Sequence, residues 1–200
     1  MNYTYLALGD SYTIGEQVLL AQSFPYKTVQ LLRQQGYSVV APEIIATTGH
    51  TTDELVNSIN ETTTLKNYDI VSVLIGVNNQ YRGRAVENFE LEFESLLLKA
   101  IAFANNIASH VFVLSIPDWG ITPFAIEKDT AIVAKEIDEY NAVCNRMAYK
   151  YHTHFIDITT LQRQDGKDMA YLAADTLHPS AKEYEKWANQ LANKIIEVYK

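Results

Sequence analysis

The chain has 200 residues, 48% of them apolar and 20% charged, enough for one sizeable core, so a single domain over residues 1–200 is expected. Its 24 acids outnumber 16 lysines and arginines, giving a net charge of −8, and its 13 tyrosines are scattered, which excludes a broad basic or base-stacking surface for nucleic acid. One cysteine excludes an intrachain disulfide, and nowhere does the chain offer the ~18 continuous apolar residues of a membrane-spanning helix.

No basic region with an apolar leader precedes the first strand, so the expected location is the cytoplasm. That strand, Tyr3 to Leu8, stops at Gly9-Asp10-Ser11, which offers a serine hydroxyl on a bend at the end of a rigid element. A turn of small polar residues after a strand is also common for structural reasons alone, so the tripeptide by itself is weak evidence. Ser23-Phe24-Pro25 opens a helix that ends at Gln35-Gly36, and Val39 to Ala46 follows as a strand in which Pro42 argues for an edge or a bulge. The loop Thr47 to Thr52 passes into a helix that closes near Thr64, with Thr51 and Glu54 at capping-box spacing.

Ile70 to Ile75 is almost wholly apolar, as in a strand covered on both faces, and it runs into Gly76-Val77-Asn78-Asn79. A long helix covers roughly 86–105, burying Phe89, Phe93, Leu96, Leu97, Ala100 and Ile101. Strand Val111–Ser115 leads into Ile116-Pro117-Asp118-Trp119-Gly120, a helix spans about Asp129 to Tyr149, and His154–Ile158 is the fifth strand. Ser180 and Glu183 then start the last helix at capping-box spacing.

Five strands alternating with helices give an α/β fold, a three-layer α/β/α domain with a mainly parallel sheet. Such sheets bind ligands beyond the carboxyl ends of their strands, the edge at which Ser11, Gly49 and Asn78 leave theirs. In Asp175-Thr176-Leu177-His178, two intervening residues allow the carboxylate to fold back on the imidazole and fix its tautomer, which supplies a base and its holder for Ser11. The same four residues also suit a helix-entry turn with a surface histidine.

Together these blocks resemble the SGNH, or GDSL, hydrolase superfamily. Gly9-Asp10-Ser11 is similar to its nucleophile block, Gly49 to the glycine whose N–H serves the oxyanion hole, Gly76-Val77-Asn78-Asn79 to its third block and Asp175 with His178 to its last. The resemblance spans residues 9 to 178. It implies a flavodoxin-like five-stranded parallel sheet, order 2-1-3-4-5, and a serine esterase with the triad Ser11, His178, Asp175. The oxyanion hole it implies is formed by Ser11, Gly49 and Asn78. The family commonly has aspartate after the asparagine, where this chain has Asn79, and there is no Gly-x-Ser-x-Gly elbow.

Tyr12, His50, Asn79, Tyr81, Trp119 and Phe124 are candidates for the substrate pocket. With no insertion long enough for a lid, short acyl or O-acetyl esters are the expected substrates. The alternatives are a lysophospholipase or thioesterase for longer chains, and a phosphate or flavin binder cradling its ligand on Ser11, Tyr12 and Thr13, against which stands the lack of a lysine-bearing phosphate loop. No cofactor is expected. His152 and His154 have no clear third ligand, so no metal is expected either, and Cys144 fits a small core residue. The expected partner is a small-molecule ester, with no nucleic acid and no integral membrane segment; the sequence carries no signal for oligomeric state.

Overall fold

The computed structural model describes residues 2–200. Five parallel strands, β1 (Tyr5–Gly9), β2 (Glu43–Ala46), β3 (Ile70–Leu74), β4 (Val111–Leu114) and β5 (His154–Ile156), lie in the order β2-β1-β3-β4-β5. The sheet is thus wholly parallel, with the flavodoxin-like order expected. Every residue of β1, β3 and β4 is buried, which is why their sequences are apolar without alternation. The edge strands β2 and β5 are only partly covered.

The main helices are α1 (Ser11–Ile14), α2 (Phe24–Gln34), α3 (Thr52–Glu61), α4 (Val77–Tyr81), α5 (Val86–Phe103), α6 (Thr130–Lys150), α7 (Thr159–Asp165) and α8 (Ala181–Tyr199). Helix α2 packs along α8, and α3, α5 and α6 pack side by side, giving the two outer layers. Their apolar stripes close one core with the sheet, in which Trp187, Tyr5, Tyr184, Phe24, Phe89 and Phe93 are the largest fully buried side chains. No helix among the described residues is long and apolar enough to cross a membrane.

Several boundaries differ from expectation. Val39 makes only an isolated bridge to Tyr3, and Pro42, lacking an N–H, stands just before β2. Helices α3 and α5 stop at Glu61 and Phe103, and β5 is three residues long. The Thr51 capping box is partly as expected: the Glu54 carboxylate accepts the Thr51 N–H at 2.9 Å, while the Thr51 hydroxyl donates to Asp53. At α8 no such box forms, because Glu183 turns inward to accept from the Trp187 indole (2.8 Å) and Lys186 (2.8 Å).

Strand order reverses between β1 and β3, which opens a crevice beyond their carboxyl ends. Gly9 pairs there with both Ala46 and Leu74, so three strands end level. A Cβ on Gly9 would come within 2.4 Å of the Leu74 carbonyl and 2.1 Å of Thr13 Oγ1. Only glycine lets α1 begin so abruptly behind the strand.

Candidate active site

The first turn after β1 sets up Ser11. Asp10 is the N-cap of α1 in an extended conformation, and its Oδ1 accepts the Tyr12 N–H at 3.0 Å. Burial pushes the Asp10 carboxyl up to about 7, its Tyr12 bond offsetting only part of the desolvation, and Oδ2 has no partner among the described residues. Thr13 is fully buried beneath Gly9 and so unable to cradle a ligand. Ser11, at the first helical position, is left with its N–H unbonded among the described residues and its hydroxyl facing the crevice.

A histidine reaches Ser11 from the other end of the chain. His178 Nε2 lies 2.9 Å from Ser11 Oγ, and His178 Nδ1 lies 2.5 Å from Asp175 Oδ2. Asp175 Oδ1 also accepts the N–H groups of Leu177 (3.1 Å) and His178 (3.0 Å), an arrangement allowed by Thr176 in the left-handed region at φ 60°. Partial burial raises the Asp175 carboxyl, but the His178 ring and these two N–H donors outweigh it and hold the group below its ordinary value. The carboxylate is therefore ionised at neutral pH and fixes Nδ1 as the protonated nitrogen. A bridge between Leu172 and Pro179 and the bond from Ala173 N–H to the His178 carbonyl (2.8 Å) brace the turn.

Gly49, φ 84°, carries a second N–H that no described residue accepts, beside the crevice. Asn78 Nδ2 donates to the His50 carbonyl at 3.0 Å; an amide nitrogen has two hydrogens, so one is left for a ligand. Ser11, Gly49 and Asn78 line one cavity with His178. The cavity measures about 170 Å³. Tyr12, Tyr81, Trp119 and Phe124 line it too, joined by Thr48, Val77 and Leu177, which the sequence reading passed over. Val77 and Leu177 are immediate neighbours of Asn78 and His178, the one signal that would have flagged them.

Two pocket candidates lie elsewhere. The His50 ring does not line the cavity; this residue contributes its backbone carbonyl to Asn78 instead. Asn79 is fully buried: its Oδ1 accepts the Thr52 N–H (3.1 Å), and its Nδ2 donates to Thr52 Oγ1 (2.6 Å) and Glu92 Oε2 (3.1 Å). An aspartate there would set its charge against Glu92, so the amide suits this chain's own interior.

The apolar wall is held by polar bonds behind it. Trp119 Nε1 donates to Gln80 Oε1 at 2.7 Å, and Gln80 Nε2 to Glu136 at 2.7 Å. The wholly buried Asp118 caps Gly120 N–H (2.9 Å) and pairs with Arg163 Nε (2.8 Å), which secures the turn that carries Trp119. Tyr81 and Phe124 meet the Trp119 ring edge-on at 5.2 and 6.1 Å. A larger cavity, about 540 Å³, sits behind the 120–126 turn and shares no residue with the serine site. Cys144 is buried in α6, its thiol pushed up by burial, and His154 stacks on Phe112 at 5.2 Å. Among the described residues, no group of three or more His, Cys, Asp or Glu is placed to hold a metal.

The model of the GDSL-like lipase/acylhydrolase family matches residues 7–186. No curated protein sequence matches. Similar solved structures include TesA, 17% identical with a TM-score of 0.77 over 98% of this chain and 99% of the other. A lipase/acylhydrolase from Enterococcus faecalis is 20% identical, TM-score 0.76, over 96% and 95%. The acetylxylan esterase Axe2 from Geobacillus stearothermophilus is 21% identical, TM-score 0.74, over 96% and 94%.

Proposed function

The chain belongs to the GDSL-like lipase/acylhydrolase family and is a serine hydrolase of carboxylic esters, and from that premise we propose that Ser11, His178 and Asp175 are its triad and short-chain esters its substrates. The observation that carries the assignment is the unbroken chain Ser11 Oγ to His178 Nε2 (2.9 Å), then His178 Nδ1 to Asp175 Oδ2 (2.5 Å), opening on the small apolar cavity.

His178 Nε2 takes the Ser11 proton as Oγ attacks the ester carbonyl, and the N–H groups of Ser11 and Gly49 with the Asn78 amide receive the oxyanion. The carbonyl re-forms as the bond to the alcohol oxygen breaks, and His178 returns the proton to that oxygen. Water, deprotonated by the same imidazole, then attacks the acyl-enzyme and releases the acid and free Ser11. Asp175, ionised throughout, stabilises each imidazolium.

The acyl preference rests on size. Pockets for drug-sized ligands run from roughly 300 Å³ upward, and this one is about 170 Å³ with Trp119 held rigidly across it. Two to four acyl carbons fill such a space. The test has two arms: a fluorophosphonate probe followed by peptide mapping, and a p-nitrophenyl ester series below micelle-forming concentrations. Labelling at Ser11 and kcat/KM highest at two to four carbons are expected. Folded protein left unlabelled would refute the triad, and a rise continuing through twelve carbons would refute the short-chain preference.

A further inference from the structure

The loop after β2 is fastened to α4 at two successive carbonyls. Asn78 Nδ2 donates to the His50 carbonyl at 3.0 Å, and Arg82, at the C-cap of α4, donates from Nη2 to the Gly49 carbonyl at 2.6 Å. The two side chains are one helical turn apart and so reach in the same direction. The other end of the guanidinium, Nη1, meets Glu54 Oε1 at 3.0 Å, and Glu54 Oε2 accepts the Thr51 N–H at 2.9 Å. One planar group thereby spans the loop from its glycine to the start of α3.

We propose that Arg82 is a positioning residue of the oxyanion hole, holding the Gly49 carbonyl so that the Gly49 N–H stays aimed at the substrate oxygen. This rests on the reading of Gly49 as an oxyanion donor given above. Three observations support it. Glycine is the least restrained residue, and Gly49 sits at φ 84°, so its peptide needs outside anchoring. Among the described residues, Arg82 is the donor to that carbonyl. Glu54, whose carboxyl is held down to about 2 by the Arg82 bond and the Thr51 N–H, stays ionised and orients the guanidinium. Arg82 itself is 43% exposed, so its ion pair adds little to global stability, whereas sub-ångström misplacement of a catalytic donor is costly in rate.

Arg82→Ala is expected to lower kcat for p-nitrophenyl acetate about tenfold or more, with KM and thermal midpoint near those of the parent. Inactivation by diethyl p-nitrophenyl phosphate, whose tetrahedral oxygen occupies the same hole, should slow in parallel. Arg82→Lys keeps the charge but has one point donor for two acceptors, and should recover part of kcat. Arg84→Ala is the control: Arg84 pairs with Asp53 and Glu92 nearby and touches neither loop carbonyl. The proposal is overturned if Arg82→Ala keeps the parental kcat, if the loss lies in KM alone, or if Arg84→Ala costs as much. An inactive parent, unlabelled at Ser11, would refute the hydrolase reading and the proposal with it; an active parent with an unaffected Arg82→Ala removes Arg82 alone.

Discussion

Replacing Trp119 by leucine should move the acyl optimum to longer chains. The substitution removes about six non-hydrogen atoms from a wall that is nearly fully buried, opening room for about two methylenes. Each methylene transferred from water is worth about 0.8 kcal/mol, or nearly fourfold in kcat/KM, so a hexanoyl ester should gain up to about fifteenfold over the parent enzyme. Leucine alone would strand Gln80 Oε1, which the indole N–H satisfies at 2.7 Å, at about 1–3 kcal/mol of stability. The double variant Trp119→Leu/Gln80→Leu removes both partners and avoids that penalty; Glu136, half-buried, exchanges its Gln80 donor for water. Initial rates on p-nitrophenyl esters of two to twelve carbons, with a folded-state check by circular dichroism, decide the matter. A folded double variant whose profile still peaks where the parent's does would show that Trp119 does not set acyl length.

Ser11→Ala and His178→Ala should each lower esterase turnover by at least about a thousandfold with the fold intact. Asp175→Asn should be no milder: its oxygen would stay with the Leu177 and His178 N–H groups, its amide would face Nδ1, and the wrong tautomer would offer Ser11 a proton in place of a lone pair; turnover within tenfold of the parent would contradict this. Asn78→Ala should lose about 3 kcal/mol of transition-state stabilisation, read as kcat, with the acyl-length profile unchanged. For Asp10 the sign is opposite to that of a paired carboxylate. Its folded value is raised to about 7 by burial, so the folded state binds a proton the unfolded chain releases, and stability attributable to it declines from about pH 4 to pH 7. Asp10→Asn, an equally good N-cap, should therefore gain on the parent by up to about 4 kcal/mol as pH rises through that window. Urea melts at pH 5 and pH 8 showing a constant difference would exclude a titrating Asp10.

The interior strands were legible because burial on both faces leaves a continuous apolar run, and the long helices because their inward side chains recur each turn. The short elements were not. Val77-Asn78-Asn79-Gln80-Tyr81 has no apolar stripe; it is a short helix behind β3 whose polar side chains bond to neighbouring elements at Thr52, Trp119 and His50. The proposed triad and the proposed oxyanion positions Gly49 and Asn78 could be read from motif order, three of the four blocks directly following a strand. Which neighbours face the cavity could not, because turns such as Leu177 and Thr48 have no periodicity to give a direction. His50 and Asn79 were placed in the pocket by adjacency to Gly49 and Asn78, and in each case the backbone turns the side chain away from the cavity.

Five consecutive positions of α4 and its cap are committed to different tasks: Asn78 to the site's polar edge, Asn79 to the interior, Gln80 to the indole, Tyr81 to the rim and Arg82 to the neighbouring loop. Mutational effects on rate along this segment should then be epistatic, since Gln80, which holds the acyl wall, and Asn78 sit on the same short helix. Chain-length preference can drift more freely at Phe124 and Leu177, which touch the cavity from other turns and have no side-chain bond to α4. Lineages of this enzyme that change substrate while keeping rate are expected to vary there first, and directed libraries aimed at acyl scope should begin at those two positions.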